Sequence, residues 1–405
     1  MRDLVRRHET GAFLALTFGL AWPLWVLSGV LGRADLRAPD WRWAVAQVGV
    51  FAPALAGLLV ATCVEPGAGR RAWRTLLFVY LPAIVLAFTL ARQGYASFVD
   101  IGVGWTAAIA ALGAWALCWF ARGPNRLVAW PGATASTGTV ALWTIGALVA
   151  PVLLFVPCWL GAAPSRAIPS EVPAVVRELT PFGIASALAV NLSFGGSLGE
   201  EPGWRGVWLP RLLRSELPLG ASLTMGVAWA LWHAPIDLAQ GFGLTGIGAL
   251  VLRLVWTLPV TLLFTWVTLR AGGSLLPAFA LHTGINTLPD FAMRDPGRYE
   301  RSMGLYLVAM LALGIAVPLL DRRVCGRSVR LRAPRSSPSA FSSGRRERLQ
   351  RARRPAFRSW ISPRTRVGRS SWIESPASTS ATRRRCCSRT GRRSSASTRR
   401  ATGRA

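Results

Sequence analysis

The sequence predicts an all-α, polytopic transmembrane bundle of roughly eight to ten helices, followed by a basic tail with no fold of its own. Three observations lead there. Hydrophobic residues make up 52% of the chain and gather into long runs. Those runs carry few charges, as a stretch that must cross hydrocarbon requires. The net charge of +29 is unevenly placed: most of it sits beyond residue 320, where Asp321, Glu347 and Glu374 alone oppose a dense series of arginines.

The runs follow in order. The first, 11–31, comes directly after Arg2, Arg6 and Arg7. A charged start before an apolar run resembles a signal peptide, but no small-residue cleavage site follows, so it is expected to stay as the first helix. Further runs occupy 43–64, 76–91, 105–121, 138–161, 182–199, 217–238, 244–270, 274–289 and 302–320. Two of them, 76–91 and 274–289, are short for a span and are expected to be tilted partners, re-entrant pieces or buried helices. With ten spans and an inside N-terminus, the inside loops would hold Arg70, Arg71, Arg74, Arg122, Arg126, Arg205, Arg211, Arg214 and Arg270. The outside loops would hold equally many arginines, so the N-terminal arginines and the basic tail place both ends inside.

This divides the chain into three. Residues 1–180 are expected to be N-terminal scaffold helices, ending in a loop marked by Pro164, Pro169, Pro173 and Pro181. Residues 181–320 hold the intramembrane polar features and are expected to form the membrane core that carries the function. Residues 321–405 lack apolar periodicity and read as a disordered, Arg-rich extension. Its aromatics are too sparse for a nucleic-acid arm. Cys63, Cys118 and Cys158 lie in apolar runs as packing residues, and no Cys/His spacing suggests a metal or a disulfide framework.

The chemistry is concentrated in three motifs. Gly199-Glu200-Glu201-Pro202-Gly203-Trp204-Arg205-Gly206 closes the apolar run from Phe182 to Leu198. Ionisable groups at membrane depth are costly and mark function by default. Glu201 and Arg205 are spaced i,i+4, within ion-pair reach on one helical face, whereas Glu200 points about 100° away and is free for chemistry. Pro202 removes a backbone hydrogen bond, so a kink or a fresh helix start is expected there. The bland alternative is a charge cluster at the membrane edge. The second motif, Trp229-Ala-Leu-Trp-His233, sets an aromatic and an imidazole at i,i+4, with Asp237 one turn later to orient His233 or simply to sit in an exit loop. The third, His282-Thr-Gly-Ile-Asn286, sets imidazole and carboxamide side by side, either as donors to a developing oxyanion or as polar glue between helices. Arg253 has no partner at fixed spacing and reads as snorkelling or bundle-facing.

In combination and order, Glu-Glu-x3-Arg, aromatic-x3-His and His-x3-Asn resemble the CPBP family, the CAAX-protease and bacteriocin-processing intramembrane glutamic endopeptidases. The resemblance covers about 182–290. It implies an all-helical bundle whose polar residues line a buried cavity. Carried over by motif position, Glu200 and His233 would activate water, His282 and Asn286 would stabilise the oxyanion, and Glu201, Arg205 and Trp229 would support them. The family usually has phenylalanine where this chain has Trp229. The resemblance implies no cofactor and no metal, a peptide or membrane-protein substrate, the lipid bilayer as surroundings, and a multi-pass place in the cell membrane. Two other classes fit parts of the pattern. A zinc-dependent membrane protease would use Glu200, His233 and His282 as ligands, although HExxH is absent. A non-proteolytic transporter or immunity-type binding protein would use the same buried acid, base and arginine as a relay or a binding cavity.

Overall fold

The structure, a computed structural model, describes residues 2–30, 40–65, 67–93, 102–122, 135–162, 180–240, 246–292 and 296–321. Its regular secondary structure is helical, and no strand occurs among the described residues. The helices are α1 (Arg2–Arg7), α2 (Glu9–Val30), α3 (Trp41–Val50), α4 (Ala52–Val64), α5 (Ala68–Thr75), α6 (Leu81–Gln93), α7 (Val103–Arg122) and α8 (Thr137–Gly161), then α9 (Pro181–Ser193), α10 (Ser197–Gly203), α11 (Leu209–Leu212), α12 (Pro218–Trp232), α13 (Ala234–Gln240), α14 (Ile247–Arg270), α15 (Leu276–Ala292) and α16 (Pro296–Leu320). Two π-helical turns, Leu76–Tyr80 and Trp204–Trp208, join α5 to α6 and α10 to α11. The expected tail beyond Asp321 and most of the Pro-rich loop before α9 lie outside the described residues.

Among the described residues, seven helical stretches are long and apolar enough to cross a membrane, and the bent pair α3–α4 makes an eighth if it is one span. The bend of 41° falls at Phe51, just ahead of Pro53. Proline withholds an N–H and clashes with the preceding turn, which breaks the helix there.

Where described, each expected run is mainly helical, but the limits differ in instructive ways. The run 76–91 is not short: α5 extends it into one stretch of 26 residues, Ala68–Gln93. The run 217–238 is not one unbroken helix: α12 has 15 residues with His233 as its C-cap, and α13 follows at once. Pro235 explains the break, since it has no N–H to donate to the Leu231 carbonyl. The short run near 274–289 is the 17-residue α15, which packs chiefly on α8 and also on α9 and α10. The largest correction concerns Arg205, expected in an inside loop. The chain turns at Phe194–Gly196, resumes at Ser197 and stays helical to Leu212, so Glu200, Glu201 and Arg205 lie inside the bundle.

Close backbone approach seats this helix. A methyl group at Gly199 would meet the Val50 carbonyl and the Phe51 ring, and one at Gly203 would run into the Pro53 carbonyl. Gly199 and Gly203, four residues apart, thus let α10 lie directly on the α3–α4 bend, as small residues do where membrane helices meet. On one side of α10 is a tryptophan-rich core with Trp25, Trp204, Trp208, Trp229 and Trp232. On the other is a second core with Trp43, Phe51, Tyr80, Phe194 and Phe279.

A charged rim marks one end of the bundle. Arg211 donates to Glu9 at 2.6 Å and to the Val207 carbonyl at 2.6 Å, and Glu65 faces both Arg211 and Arg71. Burial raises the Glu65 carboxyl above its ordinary range, against the pull of Arg211 and Arg71. Arg6 donates to the Cys63 carbonyl at 3.0 Å. Glu200 precedes Arg211 by eleven residues, which at the helical rise puts it about 16 Å from this rim, roughly half the hydrocarbon thickness. Cys118, expected to pack inside, is exposed.

Candidate active site

Four elements converge on one point: the turn 194–196, the start of α10, the end of α12, and α15. The turn is pinned from two sides. The Asn286 Nδ2–H donates to the Gly195 carbonyl. The Gln47 amide, in the orientation that satisfies both its ends, donates to the Phe194 carbonyl at 2.7 Å and accepts from the Trp43 indole at 3.2 Å. Gly196 has φ +99, a conformation that side-chain-bearing residues rarely adopt. Ser197 Oγ and Thr283 Oγ1 share a hydrogen bond of 2.9 Å that ties α10 to α15.

The two glutamates part as their spacing implies. Glu201 and Arg205, both fully buried, pair at 2.9 Å. The same Glu201 Oε1 is 2.7 Å from His282 Nδ1. That contact assigns the proton on His282: Nδ1–H donates to the carboxylate, and Nε2 faces the other way. It faces Glu200, whose Oε1 is 4.0 Å away. Glu200 Oε2 accepts from the Trp229 indole at 2.6 Å. A side chain at 196 would fall between these groups, since its Cβ would meet both Glu200 Oε1 and His282 Nε2. Glycine there keeps the space beside the pair open.

Arg205 is held by rings as well as by charge. Its guanidinium carbon lies 4.0 Å from the Phe264 ring centroid and 4.9 Å from that of Trp229. Arg205 Nε and Nη2 and Glu201 Oε2 have no protein partner. The guanidinium thus spends itself on one carboxylate oxygen and two aromatic faces, where cation–π attraction is strongest when desolvated.

Of the residues singled out from sequence, Glu200, Glu201, Arg205, Trp229 and His282 come together directly. Asn286 stands one turn beyond His282 and holds the Gly195 carbonyl. His233 is linked to Glu200 through Trp229: the indole N–H goes to Glu200, while the Trp229 carbonyl meets His233 Nδ1 at 2.8 Å. His233 is half-buried among Trp25, Trp229 and Trp232, the last at 4.7 Å between ring centroids.

Arg253, for which spacing offered no partner, forms a two-pronged pair with Asp237 at 2.9 and 2.8 Å. Asp237 lies in α13, not in an exit loop, and its N–H bonds the His233 carbonyl at 3.0 Å. The pair fastens α13, and with it the break after His233, to α14. The separation of 16 residues across two helices is why spacing on one helix could not reveal it. Phe264, Gln47 and Tyr80 were likewise invisible in sequence, being ordinary residues in apolar runs. The Gly195-Gly196 dipeptide was a readable turn signal. Among the described residues no three His, Cys, Asp or Glu side chains are grouped as a bound metal ion would require.

Residues 182–288 match the family model of the Rce1-like type II CAAX prenyl endopeptidases. The matched stretch contains each of the three motifs. No curated protein matches the chain.

Proposed function

We propose, from the place of residues 182–288 in the CAAX-protease family and of the chain among multi-pass membrane proteins, that it is an intramembrane endopeptidase of glutamate type in the cell membrane. The observation that carries this reading is Glu200 facing His282 Nε2 at 4.0 Å across the space that Gly196 leaves open. Peptide hydrolysis needs a water, a base to take its proton and a donor for the developing oxyanion.

The buried quartet suits that task electrically. Glu201 and Arg205 cancel. One proton on the Glu200–His282 pair beyond the His282 Nδ1–H then leaves the whole group neutral, which a low-dielectric interior favours. With that proton on His282, Glu200 is a free carboxylate and His282 Nε2–H is a donor. Glu200 takes a proton from water, the water oxygen bonds to the scissile carbonyl carbon, and negative charge moves to the carbonyl oxygen, where His282 holds it. Collapse of this intermediate breaks the carbon–nitrogen bond, and the proton taken by Glu200 passes to the leaving amine. Glu201 and Arg205 fix the His282 ring. His233, with Nδ1–H given to the Trp229 carbonyl, keeps Nε2 as a second proton acceptor for the water. Asn286 assists the oxyanion site by holding the Gly195 carbonyl away and offering its remaining N–H. No step calls on a cofactor.

The substrate class is a peptide or a membrane-protein segment that enters from the bilayer. Comparative peptidomics of membranes carrying the wild type and Glu200→Ala tests this. Products with new termini that vanish in the variant support it. Identical peptide sets, together with solute flux across vesicles, would instead favour a carrier.

A further inference from the structure

We infer that Tyr80, outside the family-matched stretch, is a positioning residue for Glu200. The inference begins with Pro202. A proline in a helix has no N–H for the carbonyl four residues earlier, here that of Leu198. In a membrane interior such a freed carbonyl must find another donor. The Tyr80 hydroxyl supplies it, donating to the Leu198 carbonyl at 3.1 Å from a helix 118 residues away in sequence. Tyr80 is fully buried. It ends the π-helical turn Leu76–Tyr80 and stands edge-on to Phe51 at 5.7 Å, the ring that also lies against Gly199.

This hydrogen bond grips the turn that carries the chemistry. Leu198 lies two residues before Glu200, and Pro202 two after. Glu200 N–H bonds the Gly196 carbonyl at 2.7 Å, so a shift of the first turn of α10 moves Glu200 directly. One residue earlier, Ser197 is tied to Thr283 of α15. Tyr80 and Thr283 therefore hold the turn at two points and set the separation of Glu200 from His282. Proline at 202 and tyrosine at 80 form one device: the first makes a carbonyl available, and the second uses it to dock the catalytic helix on the N-terminal helices.

The inference rests on the proteolytic reading for its kinetic test but not for its structural one. Four purified proteins are needed: the parent, Tyr80→Phe, Pro202→Ala and the double variant. Alanine at 202 restores the N–H to Leu198 and makes the hydroxyl redundant. In the parent background Tyr80→Phe is expected to lower kcat by about ten- to a hundred-fold with KM nearly unchanged, the scale of a small misplacement of a reacting group. In the Pro202→Ala background the same change is expected to alter kcat less than about two-fold. Hydrogen exchange of the backbone amides of residues 197–206, measured without substrate, is expected to speed up on Tyr80→Phe in the parent and not in Pro202→Ala. An equal loss of kcat in both backgrounds, or no loss in the parent, overturns the positioning role. Unchanged exchange in the parent overturns the hydrogen bond itself. Absence of any cleavage by the parent, with the exchange pattern intact, would overturn the proteolytic reading and leave the docking role of Tyr80 standing.

Discussion

Removing Arg205 is the perturbation whose size follows most directly from the structure. In Arg205→Ala the fully buried Glu201 loses its partner at 2.9 Å and keeps only the His282 contact at 2.7 Å. Stripping one member from a buried ion pair costs about 3–5 kcal/mol. The guanidinium also leaves the faces of Phe264 and Trp229, worth about 0.5–2 kcal/mol when desolvated. One effect opposes these. Arg205 Nε and Nη2 are buried without acceptors, so their removal relieves a desolvation cost and pulls the total toward the lower end, about 3 kcal/mol. Against a total stability on the order of 5–15 kcal/mol, that should lower the yield of folded protein and its melting temperature. The assay is thermal unfolding of purified protein in one detergent. Arg205→Met combined with Glu201→Leu removes both charges and should regain most of the stability, while cleavage stays lost because nothing then orients His282. An Arg205→Ala protein that melts with the wild type would refute the buried-pair reasoning. So would a double variant no more stable than the single one.

Other consequences follow from single contacts. Gly196→Ala puts a methyl group against Glu200 and His282 at a residue with φ +99; peptide cleavage in proteoliposomes should fall by about a hundred-fold or more while membrane insertion persists. Asn286→Ala should slow turnover by about two to three orders of magnitude with little change in substrate binding, as steady-state kinetics with a binding assay would reveal. Arg253→Ala leaves Asp237 buried and unpaired, so folded yield should drop, and Asp237→Asn in that background should restore much of it. Cleavage should survive exhaustive chelation, with no stoichiometric zinc in the purified protein; loss on chelation and return with metal would favour the zinc protease.

Much of the fold was legible because membrane helices announce themselves through apolar runs. What hid were their ends. Pro235 stops α12 at His233, and the Arg-rich α5 lengthens the next stretch, yet neither feature interrupts or extends a hydrophobicity pattern in an obvious way. The loop placement of Arg205 failed for a related reason. Glu200, Glu201 and Arg205 look like the edge of a membrane, but the glycines that seat α10 against α3–α4 draw them into the interior. At the site, contacts at i,i+4 were readable on one helix, and the Glu201–Arg205 pair lies where that spacing places it. Contacts between helices were not. The Glu200–Trp229 hydrogen bond, the Asp237–Arg253 pair and the Tyr80–Leu198 bond join residues distant in sequence, and no periodicity encodes them.

The central claim is that Glu200 is the base of a membrane protease. Glu200→Gln tests it most directly, since it keeps the shape of the side chain and an acceptor for the Trp229 indole but cannot take up a proton. Purified wild type and variant are compared on one cleavable peptide, by mass spectrometry of the products, after their melting curves have been matched. Cleavage by Glu200→Gln is expected to fall by about two to four orders of magnitude. A folded Glu200→Gln protein that cleaves at the wild-type rate would contradict the account.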